Sequence, residues 1–120
     1  MNIHATRGSV AAGDDVDAPH ARDFTFPDGA TLEQIVGGIA DSSYLAKITG
    51  GQATWTVVSN IPVAVVAQQW SKPRMLPMVE DRRDKLEHRN GVLTLHFNYH
   101  AQIDPETVYK TFWGFRLNAI

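Results

Sequence analysis

The chain has no cysteine. That absence removes disulfides, thiolate zinc sites, iron–sulfur clusters and cysteine nucleophiles together. A run of 18 apolar residues is also missing, so no membrane-spanning helix is expected. Residues Met1 to Arg7 lack the apolar centre of a signal peptide, and the expected compartment is the cytoplasm. Eleven Lys and Arg against thirteen Asp and Glu leave a net charge of −2. The chain therefore lacks the basic footprint on which nucleic-acid binding rests, and no nucleic-acid partner is expected. No Gly-x-Ser-x-Gly elbow frames Ser9, Ser42, Ser43, Ser59 or Ser71. Gly37-Gly38 and Gly50-Gly51 lack the Lys-Ser/Thr and the helix opening of a phosphate loop.

What is present suits a globular fold. A hydrophobic fraction of 43% in 120 residues is enough for one real core. Residues 22–120 read as a single α+β domain. Residues 1–21 leave two readings open: a first strand from Ile3 to Val10 with a polar loop behind it, or a tail.

The segment Phe24 to Val36 carries the strongest local signal. Phe24 and Phe26 alternate with polar neighbours, as in a half-buried strand. Pro27-Asp28-Gly29 supplies turn chemistry. Thr31 with Gln34 is a capping box, and Leu32, Ile35, Val36 and Ile39 form one helical stripe. Gly37-Gly38 weakens that helix and is expected to end it early. Asp41-Ser42-Ser43 caps a short helical turn through Tyr44, Leu45 and Ile48.

Residues 53–58 and 63–67 read as two strands joined by a turn at Ser59-Asn60-Ile61-Pro62, with 63–67 covered on both faces. So short a connection requires antiparallel pairing. Residues 79–90 are highly charged and read as either helix or exposed strand. Asn90-Gly91 suits a type I′ hairpin turn or a helix stop. Val92 to Ile103 alternates strictly, with Leu93, Leu95, Phe97 and Tyr99 on one face and His96, Asn98 and His100 on the other. Asp104-Pro105-Glu106 opens a C-terminal helix, with Asp104 as its cap. Phe112, Trp113 and Phe115 are expected to pack it.

The order strand, turn, capped helix, hairpin, later strand resembles the β-grasp (ubiquitin-like) architecture over roughly residues 20–103. Pro27-Asp28-Gly29-Ala30-Thr31-Leu32 is similar to the acidic, Gly-containing turn before the helix in many such domains. The resemblance implies a mixed sheet of four to five strands with one helix across it, plus an added C-terminal helix here. It implies a protein-interaction role, which is an analogy at the level of fold. Modifier or sulfur-carrier chemistry is not implied, because the chain ends Arg116-Leu117-Asn118-Ala119-Ile120 without the Gly-Gly terminus.

Two groups of residues are candidate sites. Trp70, before a Pro-rich connector and near Arg74 and Met75, suits an interface anchor, and His96, Asn98 and His100 offer an exposed polar face. Asp14, Asp15, Asp17 and His20 are hard-cation ligands on a loop flanked by Gly13 and Pro19. His96 and His100 do not pair on one metal, since four strand positions span about 13 Å. The expected function is a non-catalytic protein-interaction module that needs no cofactor. One alternative is a divalent-metal-binding protein or metal-dependent hydrolase built on Asp14–His20. Another is a homo-oligomeric structural protein, in its simplest form a homodimer.

Overall fold

The structure, a computed structural model, describes residues 1–8, 20–45, 51–101 and 103–118, with side chains in the last segment as far as Trp113. Alternation builds the sheet. β1 (Asn2–Arg7) buries Ile3 and Ala5, and β7 (Val92–Tyr99) buries Leu93, Leu95 and Phe97 on the same face. The two strands run parallel in the middle of the sheet, with Ile3 beside Leu93 and Ala5 beside Leu95. β2 (Ala21–Thr25) pairs antiparallel with β1. On the other side of β7 lie β3 (Thr54–Ser59), β4 (Ile61–Ala67) and β5 (Arg74–Met75), all antiparallel, giving the order β2-β1-β7-β3-β4-β5. β6 (His88–Arg89) pairs with the start of β7. The class is the expected α+β with a mixed sheet, but the strands among the described residues number seven. The surplus over four or five comes from β5 and β6, each two residues long and too short to leave a periodic trace.

Helix α1 (Leu32–Asp41) lies across one face. Its capping box closes in both directions: the Gln34 N–H donates to Thr31 Oγ1 (3.1 Å) and the Thr31 N–H to Gln34 Oε1 (2.9 Å). Leu32, Ile35, Val36 and Ile39 are fully buried and share one core cluster with Ile3, Leu95, Trp55 and Val57. Gly37-Gly38 does not end the helix, which runs three residues further. Buried contacts on either side of the glycines outweigh a propensity penalty of about 1 kcal/mol each.

Helix α2 (Pro105–Asn118) lies on the opposite face. Its anchors are Thr54, whose hydroxyl donates to the Ile103 carbonyl (2.8 Å), and Arg74, the cross-strand neighbour of Val65. Both side chains point away from the α1 core. Asp104 caps the helix through the N–H (3.3 Å) and hydroxyl (3.0 Å) of Thr107. Val63 to Ala67 are all buried, as a strand covered on both sides should be. The expected packing by Trp113 is corrected: Val108 is buried and Phe112 half-buried, while Trp113 is 41% exposed. The side chain of Phe115, and Ile48 after α1, lie outside the described residues.

Other boundaries shift for local reasons. β3 and β4 are joined by Asn60 alone, in the left-handed region (φ 63°), with a bulge at Val57/Val58. Residues 79–90 combine both expected forms, a 3-10 segment (Glu80–Lys85) and the strand β6. Asn90 (φ 53°) and Gly91 (φ 78°) then make the type I′ turn into β7. β7 stops at Tyr99 instead of reaching Ile103, because the chain turns through Ala101 (φ 55°) to place α2.

Candidate interaction surface

Arg74 organises the surface between β5 and α2. A two-residue strand puts Met75 on the core side, opposite Ala64, and turns Arg74 toward α2. The Arg74 guanidinium lies 4.3 Å from the Trp70 ring centroid and 5.3 Å from that of Tyr109. Its Nη1 donates to Glu106 Oε2 at 2.7 Å. That hydrogen bond raises the pKa of Arg74 and lowers that of Glu106, so both stay charged. The pair is half-exposed, so it contributes orientation more than stability. Tyr109 OH donates to the Met75 carbonyl (3.0 Å), tying helix to edge strand. One turn on, Trp113 stands out from the surface. A shallow pocket of about 230 Å³ lies among Arg74, Glu106, Tyr109, Lys110 and Trp113.

The far side of this cluster is also concave. Trp70, with Trp55, Asp41 and Leu45, lines a second pocket of about 180 Å³ near the end of α1. Trp70 is half-buried, held from one side by the guanidinium.

Of the partner-binding residues expected from sequence, Trp70 and Arg74 come together. Met75 contributes its carbonyl, while its side chain faces the core. Asn98, Thr56, Val65 and Arg74 form one row across four strands, which puts Asn98 about 14 Å from Arg74. His100 belongs to the seat of α2: its Nε2 hydrogen-bonds Thr56 Oγ1 (2.7 Å) and its ring meets Phe112 edge-on at 6.0 Å. Burial lowers its pKa. His96 is bonded instead to Thr6 on β1 (2.6 Å), beside the His4–Asp23 pair (2.7 Å). The two histidines thus serve different strands.

Sequence reading missed Glu106 and Tyr109 and assigned Trp113 to the interior. The usable signal was the Tyr109/Trp113 spacing of four, which stacks both aromatics along one line of a helix. Asp14, Asp15 and Asp17 lie outside the described residues. His20 stands at the entrance to β2, where its carbonyl accepts from the Arg7 N–H (2.9 Å) and Tyr44 OH (2.9 Å). Among the described residues no group of three or more His, Asp or Glu is placed to hold a metal ion. No described helix is long and apolar enough to cross a membrane. No protein-family model, no curated protein and no solved structure matches the chain.

Proposed function

We propose that this protein is a non-catalytic protein-interaction module of β-grasp type, and that its partner docks on Trp70, Arg74, Tyr109 and Trp113. The mixed sheet with a capped helix across it supports the architectural reading. The observation that carries the functional reading is the aromatic–guanidinium cluster with Trp113 41% exposed beside a shallow pocket. Trp, Tyr and Arg are the residue types that dominate binding energy at protein interfaces. A large aromatic left half in water on an otherwise well-capped helix suits an anchor awaiting a pocket. The fixed Arg74 holds Trp70 and Tyr109 in place before binding, which lowers the ordering cost of association.

The test is quantitative co-purification of tagged protein from the source cell, wild type against Trp113→Ser and Trp70→Ala. Each variant is first shown to unfold cooperatively. A specific partner should fall at least tenfold in recovery for one of the two, as a hot-spot loss above 1.4 kcal/mol requires. Equal recovery from all three proteins would remove this surface as the docking site.

A further inference from the structure

The two edges of the sheet are protected very differently. β5 is two residues long and lies between Pro73 and Pro77, which closes it to another strand. β2 is five residues long and pairs on one side only among the described residues. The ladder fixes which of its groups face outward. The Met1 amine donates to the Phe26 carbonyl (2.8 Å) and the Phe26 N–H to the Met1 carbonyl (2.9 Å), while the Arg7 N–H donates to the His20 carbonyl. The intervening hydrogen-bonded pairs are then Ile3 with Phe24 and Ala5 with Arg22. Ala21, Asp23 and Thr25 therefore aim their backbone N–H and C=O groups away from β1, and all three residues are exposed.

We infer that β2 is a self-association edge, pairing antiparallel with β2 of a second copy about a two-fold axis at Phe24. Two-fold pairing keeps side chains of like facing together, so the axis must pass through a residue of β2. An axis at Asp23 or Arg22 sets like charges opposite one another, which is unfavourable. An axis at Thr25 leaves only the mutual Thr25 pair within the strand, or two hydrogen bonds. An axis at Phe24 pairs Asp23 with Thr25 of the other copy twice, giving four. It also stacks Phe24 on its own mate and sets Arg22 opposite Phe26. The guanidinium of Arg22 already lies over an aromatic ring, 5.0 Å from the Phe24 centroid. The strand is thus self-complementary in one register.

A single strand pair is small against the standard interface of about 1,600 Å². The dimer is accordingly a transient one, with Kd on the order of 10⁻⁵ to 10⁻³ M. This inference is independent of the partner surface on α2, which lies at the other end of the sheet.

Sedimentation velocity of the full chain from 10 µM to 1 mM reads it directly. The wild type should shift toward dimer mass across that range. Thr25→Pro removes an outward backbone donor, keeps the β1–β2 backbone hydrogen bonds, loses only the exposed bond from the Thr25 hydroxyl to Asn2 Oδ1 (3.3 Å), and should weaken association at least tenfold. Because the chain has no cysteine, a single introduced one reports the register. Phe24→Cys should form an intermolecular disulfide under mild oxidation, and Arg22→Cys, opposite Phe26, should not. A wild type still monomeric at 1 mM overturns the inference, as does equal cross-linking of the two cysteine variants. Should Phe24→Cys fail to fold, the wild-type and Thr25→Pro sedimentation data still decide it.

Discussion

Gly37 and Gly38 sit side by side in the middle of α1, and replacing either with Ala gives the helix the same intrinsic gain of about 1 kcal/mol. The surroundings separate them. A Cβ on Gly37 would lie 3.6 Å from Pro73 Cδ, an ordinary contact. A Cβ on Gly38 would lie 2.7 Å from Phe26 Cε1 and 3.0 Å from Cζ. Carbon atoms rest at about 3.5–4.0 Å, so the Phe26 ring would have to retreat by roughly 1 Å. Phe26 is partly buried and packed on the core, where such overpacking costs about 1–3 kcal/mol. Gly37→Ala should therefore stabilise by about 1 kcal/mol. Gly38→Ala should lie between neutral and about 2 kcal/mol destabilising. The gap of about 1–3 kcal/mol corresponds to at least 3 °C in Tm for a chain of this size. Urea unfolding of both variants, with m checked for constancy, measures it. Equal stabilisation by both would mean that Phe26 does not sit over Gly38. Phe26→Leu combined with Gly38→Ala should recover most of the loss if the ring is the obstacle.

Burial holds the His100 pKa below its ordinary 6.5, so the unfolded chain takes up that proton first. Stability should be intact above about pH 6.5, fall as the pH drops through it, and level off below the folded value. His100→Gln should flatten this step in Tm between pH 7.5 and 5. The lowered carboxyls of Asp28, beside the Met1 ammonium, and Glu106, beside Arg74, act separately. Their stabilisation is present above the ordinary carboxyl range near pH 4 and is lost as the pH falls below it. Thr31→Ala breaks one arm of the capping box and should cost about 1 kcal/mol in chemical denaturation. Leu95→Ala in the centre of the sheet should cost about 2–5 kcal/mol.

Local chemistry was legible in the sequence, and long-range placement was not. Thr31 and Gln34 announce a helix start because both partners of the capping box lie within one turn. Asn90-Gly91 announces a type I′ turn because few residue pairs accept two positive φ values. The alternation of Leu93, Leu95 and Phe97 marks a strand with one buried face. By contrast, nothing near residues 2–7 says that β1 lies in the centre of the sheet, since its partner β7 is some 90 residues away. β5 is invisible for the same reason: two residues become a strand only because β4 is there to pair with. The surface on α2 was half legible. Trp70 and Arg74 are near in sequence and meet in space, whereas Glu106, Tyr109 and Trp113 join them only through the docking of a helix more than 30 residues on.

The measurement that bears most directly on the central claim is site-specific photo-cross-linking in the source cell, with a photoreactive phenylalanine analogue at position 113. The same analogue at exposed Asp84 is the control. One discrete covalent adduct of this protein with a partner is expected from position 113 and none from position 84. No adduct from position 113, or the same diffuse pattern from both positions, would contradict the central claim.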